Sequence, residues 1–220
     1  MGPPARVLLV EDDAALRRSL VLALRDEDFE VLEAGSGQQG LRAIEDDPGA
    51  VLLDLGLPDL DGLLVLERLR SRSPVPILVL SGRRHAGDQA GALAAGADDY
   101  LVKPVPAVEL STRVRALLRP LDRGALATAL AGQAGAAAPA VGATAYGGPV
   151  PASPTSTEQL LLAELARTPC RVPPAVLARR VWGSAPAAGE AVLQAHVRSL
   201  RGKLTGSTIS VTSAGYRLDR

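Results

Sequence analysis

Val7-Leu8-Leu9-Val10-Glu11-Asp12-Asp13 is the stretch whose reading decides the fold. Four apolar residues stop abruptly on three carboxylates. That is the pattern of a short strand buried on both faces, with a polar site at its carboxyl end. The pattern recurs: Val51–Leu53 runs into Asp54, Ile77–Leu80 into Ser81 and the weaker Tyr100–Val102 into Lys103, with another weak run at Glu30–Glu33. Between these runs apolar residues fall at helical spacing: Leu16, Leu20 and Leu24; Leu41 and Ile44; Leu63, Leu66 and Leu69. Pro106 can open a last helix carrying Leu110, Val114, Leu117 and Leu118. Five strand–helix units predict an α/β doubly wound five-stranded parallel sheet, a fold that binds ligands at the carboxyl ends of its strands.

The polar residues at those ends form one chemistry. Glu11, Asp12 and Asp54 would repel one another unless a cation intervened, and all-oxygen ligands suit Mg²⁺. Lys103 adds a second positive charge and Ser81 a hydroxyl. A carboxylate can itself be the nucleophile, forming an acyl phosphate while cations stabilise the phosphoryl oxygens. Singly, each residue has a plain structural reading, as a helix start, a turn residue or a half-buried strand residue. Together, at four strand ends, they predict phosphoryl transfer to an aspartate. Asp59-Leu60-Asp61-Gly62 imitates the aspartate pair of haloacid-dehalogenase phosphatases, but Gly56-Leu57-Pro58 stands where that motif needs an apolar strand, so we reject it.

Residues 6–119 resemble the CheY-like receiver domain of bacterial response regulators. The likeness rests on Leu8–Asp13, on Asp54-Leu55-Gly56-Leu57-Pro58-Asp59-Leu60-Asp61-Gly62 and on Gly96-Ala97-Asp98-Asp99-Tyr100-Leu101-Val102-Lys103-Pro104. It implies strand order 2-1-3-4-5 and Asp54 as acceptor of phosphate from a sensor histidine kinase. Asp12, Asp54, the Gly56 carbonyl and Glu11 would hold Mg²⁺. Lys103 and Ser81 would bind the phosphoryl group, Tyr100 would turn inward as Ser81 moves, and the Lys103–Pro104 bond would be cis. In OmpR/PhoB-type members the last helices and strand pair two receivers through ion pairs; Asp98, Asp99, Glu109 and Arg113 match, whereas Gln89 and Ala94 replace a usual basic and acidic residue.

Charge divides the chain. All 220 residues sum to zero, yet residues 1–119 carry 14 basic and 19 acidic side chains, and residues 158–220 carry 9 and 4. No charged residue lies between Gly124 and Thr157. Eleven of the 22 residues from Gly124 to Ala145 are alanine, without an amphipathic stripe, so 120–145 reads as a linker. The rest, 146–220, opens with a candidate hairpin at Tyr146–Pro154. Then come a helix capped by Ser156 or Thr157, a helix after Pro173-Pro174 and a third from Glu190 to Leu204. A hairpin through Ser213-Ala214-Gly215 ends the chain. Three helices and a β-ribbon predict a small winged helix-turn-helix domain.

Residues 158–220 resemble the OmpR/PhoB-type effector through Arg180-Val181-Trp182-Gly183, His196–Leu204 and Gly215-Tyr216-Arg217-Leu218. The family's four-stranded platform is here reduced to Val141–Pro154 or missing. Gln194, Arg198, Ser199, Arg201, Lys203, Thr212 and Arg217 occupy the positions expected to meet DNA, with Arg179 and Arg180 near phosphates. Ser199 and Thr212 stand where the family carries arginine, and Gly202 replaces another basic residue. Trp182 is expected in the core, and His196 as a packing or phosphate contact.

The expected partners are a sensor histidine kinase, promoter DNA, a second copy through the receiver and RNA polymerase. A second reading is a phosphorylation-controlled protein-interaction regulator whose winged helix does not read DNA. One cysteine, Cys170, excludes an internal disulfide and fits a reducing cytoplasm. Apolar runs of only a few residues exclude a membrane helix. The receiver is expected to catalyse only its own phosphorylation and dephosphorylation, so no further enzyme activity is expected.

Overall fold

A computed structural model describes residues 4–83, 85–119, 153–183, 190–204 and 207–219. Strands β1 (Arg6–Val10), β2 (Glu30–Ala34), β3 (Ala50–Asp54), β4 (Ile77–Ser81) and β5 (Asp99–Val102) form one sheet in the expected order β2-β1-β3-β4-β5. Every pairing in it is parallel, with Leu8 level with both Leu32 and Val51, and Ser81 level with Val102. Between the strands run α1 (Ala14–Arg25), α2 (Gly37–Ala43), α3 (Gly62–Arg72) and α4 (Ala86–Ala94), and α5 (Ala107–Leu117) follows β5.

Alternation along each strand builds the two layers. Val7 and Leu9 of β1, with Leu52, Leu78, Leu80 and Leu101, pack on α1 and α5 through Leu20, Leu24, Leu110 and Val114. Leu8 and Val10, with Val51, Leu53, Ile77 and Val79, pack on the other side against Leu41, Leu63, Leu66 and Leu69. Gly62 lets α3 begin against the exit of β3: a Cβ there would lie 2.3 Å from the Leu55 Cα.

The second unit contains α6 (Ser156–Arg167), α7 (Pro174–Trp182), α8 (Glu190–Lys203) and an antiparallel hairpin, β6 (Thr208–Thr212) with β7 (Gly215–Asp219). Its α6 is capped by Thr155, in a capping box with Glu158, and not by Ser156 or Thr157. Thr157 is instead the second helical residue, and its N–H points at the receiver. Val172 bridges to Tyr216, tying the α6–α7 connection to the wing. Gly215 makes that approach workable, since its φ is +121° and a Cβ would sit 2.2 Å from the Val172 carbonyl. The expected linker lies outside the described residues. So does the proposed hairpin or platform, apart from Ser153 and Pro154, which carry no strand.

The two units share one apolar core. The layer under α3 and α4 continues into Leu161, Leu177, Trp182, Leu193, Leu200, Ile209 and Tyr216. Helix α8 lies along α4, and α7 against α5. Among the described residues no helix is long and apolar enough to cross a membrane.

Candidate functional site

Four strand ends converge as the parallel register demands. Lys103 Nζ donates to Glu11 Oε2 at 2.6 Å and lies 2.9 Å from Asp54 Oδ2. Glu11 and Asp54 are buried and Asp12 is exposed. One oxygen from each of these three carboxylates lies within 4.8 Å of the others. Three hard oxygens gathered at the strand ends fit a Mg²⁺ ion, which takes a few carboxylates and keeps its waters. Burial pushes the Glu11 carboxyl above its ordinary pKa and outweighs the opposing pull of Lys103. Burial also disfavours the Lys103 ammonium, but its bonds to Asp54 and Glu11 win and raise its pKa, so it is charged. The Gly56 N–H donates to Asp54 Oδ1 at 3.0 Å, fixing the carboxylate's rotation.

Ser81 ends β4 and is buried. Its Oγ accepts from the Arg83 N–H at 3.1 Å, and Tyr100, 1 % exposed, donates its hydroxyl to the Arg83 carbonyl at 2.9 Å. The Tyr100 ring is therefore inside, bonded to the same loop that carries Ser81. The Lys103–Pro104 peptide is cis.

The remaining acidic residues of the motifs are helix caps. Asp13 accepts from the Ala15 and Leu16 N–H groups at 2.8 and 2.9 Å, starting α1. Asp59 accepts from Gly37 and Gln38 at the start of α2, and Asp61 from Leu63 at the start of α3. The phosphatase-like Asp59/Asp61 pair thus serves two different helices. Sequence reasoning missed Arg17, whose Nη1 donates to the carbonyls of Glu11 at 2.7 Å and Asp12 at 3.3 Å, holding the acidic turn in place. Its one signal was a basic residue one turn past the cap of α1.

The residues assigned to receiver pairing are engaged within the chain. Asp98, fully buried, meets Arg70 at 2.6 Å and accepts from the Ile77 N–H at 2.9 Å. Asp99 and Arg113 are both buried, 3.5 Å apart, and Glu109 reaches Arg113 at 3.5 Å. Burial raises the Asp99 pKa to about 7 despite the Arg113 charge that lowers it. The folded chain then holds a proton that the unfolded chain, with an ordinary aspartate, releases at about pH 4. Asp99 therefore stabilises least above pH 7, its contribution falling as pH rises from about 4 to 7. The stability difference between pH 5 and pH 8, from urea unfolding, should shrink by roughly 1–3 kcal/mol in Asp99→Asn. An unchanged difference refutes the assignment.

In the second unit the expected DNA contacts divide. Gln194, Arg198, Arg201, Thr212 and Arg217 are exposed and Ser199 is half-buried. Arg201 Nε donates to the Ile209 carbonyl at 2.7 Å, tying α8 to β6, and Arg217 pairs with Asp219 at 2.6 Å. Lys203 corrects the sequence reading: it is buried and donates to Glu158 at 2.7 Å, so its ammonium is paired inside the second unit. Trp182 is fully buried, as expected of a core residue, and its ring centroid lies 5.8 Å from that of His196. His196 is a packing contact whose Nε2 meets the Asp98 carbonyl at 3.0 Å.

Residues 7–115 match the response regulator receiver domain family. Over 220 aligned residues the chain is 36% identical to the DNA-binding response regulator MtrA of Mycobacterium tuberculosis, covering 96% of each protein. It is also 36% identical to the transcriptional regulatory protein AfsQ1 of Streptomyces coelicolor, covering 97% of each. The chain belongs to the OmpR/PhoB-type response regulators. Among solved structures, this response regulator superposes on the BeF3-activated N-terminal receiver domain of Klebsiella pneumoniae RstA with a TM-score of 0.50 and 29% identity, over 52% of this chain and 99% of that one. A response regulator from Chloroflexus aurantiacus gives a TM-score of 0.50 at 35% identity, over 52% and 98%. It is thus a two-component response regulator, and its relatives are named as regulators of DNA-binding or transcriptional type.

Proposed function

We propose that this regulator accepts a phosphoryl group on Asp54 from a phosphohistidine of a sensor kinase and, once phosphorylated, binds promoter DNA as a receiver-paired dimer. The observation that carries the first step is the convergence of Lys103 with Asp54 and Glu11 at 2.9 and 2.6 Å. An Asp54 oxygen attacks phosphorus, the phosphorus–nitrogen bond breaks, and the imidazole leaves with the electron pair. Glu11, Asp12, Asp54 and the Gly56 carbonyl would hold Mg²⁺, which neutralises charge on the transferring oxygens. Lys103 gives up part of its bonding to Asp54 and follows the new phosphoryl oxygens, and the Ser81 hydroxyl donates to another. Tyr100, on the same loop through Arg83, is placed to register that movement.

For DNA, α8 offers Gln194 and Arg198 on an exposed face, with the wing beside it carrying Thr212 and Arg217 and with Arg179 and Arg180 exposed on α7. Gln and Arg are the side chains suited to A and G in the major groove. The names of MtrA and AfsQ1 support this use of the second unit. Pairing would go through Asp98, Asp99, Glu109 and Arg113, with RNA polymerase as a further partner in a reducing cytoplasm. Selection from random duplexes with phosphorylated full-length protein should recover one enriched motif in two adjacent copies. A pool with no enrichment at low salt overturns the DNA half of the reading.

A further inference from the structure

The three carboxylates of the acidic pocket are not held alike. Glu11 is fixed by Lys103 at 2.6 Å. Asp54 is fixed by Lys103 at 2.9 Å and by the Gly56 N–H at 3.0 Å. The Asp12 carboxylate is exposed and, among the described residues, makes no hydrogen bond or ion pair of its own. Yet one of its oxygens lies within 4.8 Å of those of the other two. Its aim therefore comes from its backbone. Only two torsions separate an aspartate oxygen from its Cα, and the first is confined to a few staggered wells.

That backbone is braced from outside the pocket. The Glu11 N–H donates to the Ala34 carbonyl at 3.0 Å, and the Asp13 carboxylate caps α1. Between these anchors the carbonyls of Glu11 and Asp12 both accept from Nη1 of Arg17, at 2.7 and 3.3 Å. The guanidinium is itself placed from β2 and the residue after it. Glu33 stands 3.7 Å from its Nε and meets Arg25 at 3.5 Å, so α1 is tied to β2 twice. Gly35 leaves room for the arginine, because a Cβ there would lie 3.3 Å from Nη1. In charge, Arg17 opposes a metal: a guanidinium beside the ligands' backbone repels a divalent cation. Its bonds and its charge thus pull metal affinity in opposite directions, and an experiment can tell which prevails.

We propose that Arg17 is a positioning residue for the divalent ion, setting the direction of the Asp12 carboxylate through the carbonyls of Glu11 and Asp12. The role rests on the Mg²⁺-assisted phosphoryl transfer proposed above and adds to it a residue that touches neither metal nor phosphate. Side chains that orient metal ligands without binding the metal are typically worth about 10–100-fold in affinity. Arg17→Met keeps much of the length and removes both donors and charge. Arg17→Lys keeps the charge and one compact donor, without the planar fork. Gly35→Val changes no charge and crowds the guanidinium from the β2 side.

The measurement is a calorimetric titration of unphosphorylated full-length protein with magnesium chloride. Arg17→Met should bind Mg²⁺ about tenfold more weakly than wild type with its helix content retained. Arg17→Lys should recover part of that loss, and Gly35→Val should weaken binding in the same direction. In labelling by acetyl phosphate, the Mg²⁺ concentration giving half the maximal rate should rise by the same factor in Arg17→Met. The rate at saturating Mg²⁺ should stay that of wild type, which a general loosening of the fold would not produce. An Arg17→Met protein that binds Mg²⁺ as tightly as wild type, or more tightly as loss of a like charge predicts, overturns the positioning role and leaves the pocket standing. A wild-type protein that takes up no Mg²⁺ overturns the metal reading, and the role of Arg17 with it.

Discussion

Replacing Asp54 with asparagine should abolish labelling by a small phosphodonor such as acetyl phosphate, while wild type is labelled only when Mg²⁺ is present. Asparagine keeps the size and the bond from the Gly56 N–H, but its amide is a poor nucleophile toward phosphorus. It also removes one of three carboxylate oxygens gathered within 4.8 Å, so divalent-ion affinity measured by calorimetry should weaken along with labelling. The fold should be indifferent, or slightly relieved, because three acidic groups share the pocket with one lysine. A loss of phosphate in Asp54→Asn together with an unchanged melting temperature is the expected pair of results. Full labelling of the variant would move the acceptor to Asp12 or Glu11 and end the assignment.

The second large effect concerns stability. Lys203 and Glu158 are 2 % and 1 % exposed at their side chains and 2.7 Å apart, with Glu158 also accepting from the Thr155 N–H. Lys203→Met leaves a buried carboxylate without its countercharge, which costs about 3–5 kcal/mol. Much of the winged unit's stability should go with it, seen as an early transition in thermal unfolding. Glu158→Gln combined with Lys203→Met removes both charges and keeps an acceptor for the cap, so most of the loss should be recovered. If Lys203 were a phosphate contact, Lys203→Met would weaken DNA binding and leave melting unchanged. That outcome would return Lys203 to the DNA-facing set.

Legibility followed the range of the interactions concerned. Strands β1, β3 and β4 announced themselves because each apolar run ends on a residue with chemistry, and a parallel sheet places those ends together. Helix α4 carried no such signal: Ala86–Ala94 reads AGDQAGALA, too small and too even to show a stripe, and its meaning lies in what packs beside it. The cap of α6 lies one or two residues before the expected Ser156 or Thr157, because Thr155, Ser156 and Thr157 are equally able to cap and only the reciprocal bond to Glu158 separates them. Lys203 looked like one more basic residue on a recognition helix. Its partner is 45 positions away, and no local pattern connects the two. The His196–Asp98 contact spans 98 positions and crosses between units, so neither sequence neighbourhood could contain it.

Arg201, one of the residues expected to meet DNA, donates to the Ile209 carbonyl of the wing strand. Helix α8 and strand β6 are therefore tied by a side chain as well as by the chain that joins them. Transplanting α8 alone into another regulator would bring its guanidinium to a foreign strand. To move α8 together with the carbonyl that Arg201 holds, an engineer would have to cut out Glu190 to Asp219 as a single cartridge.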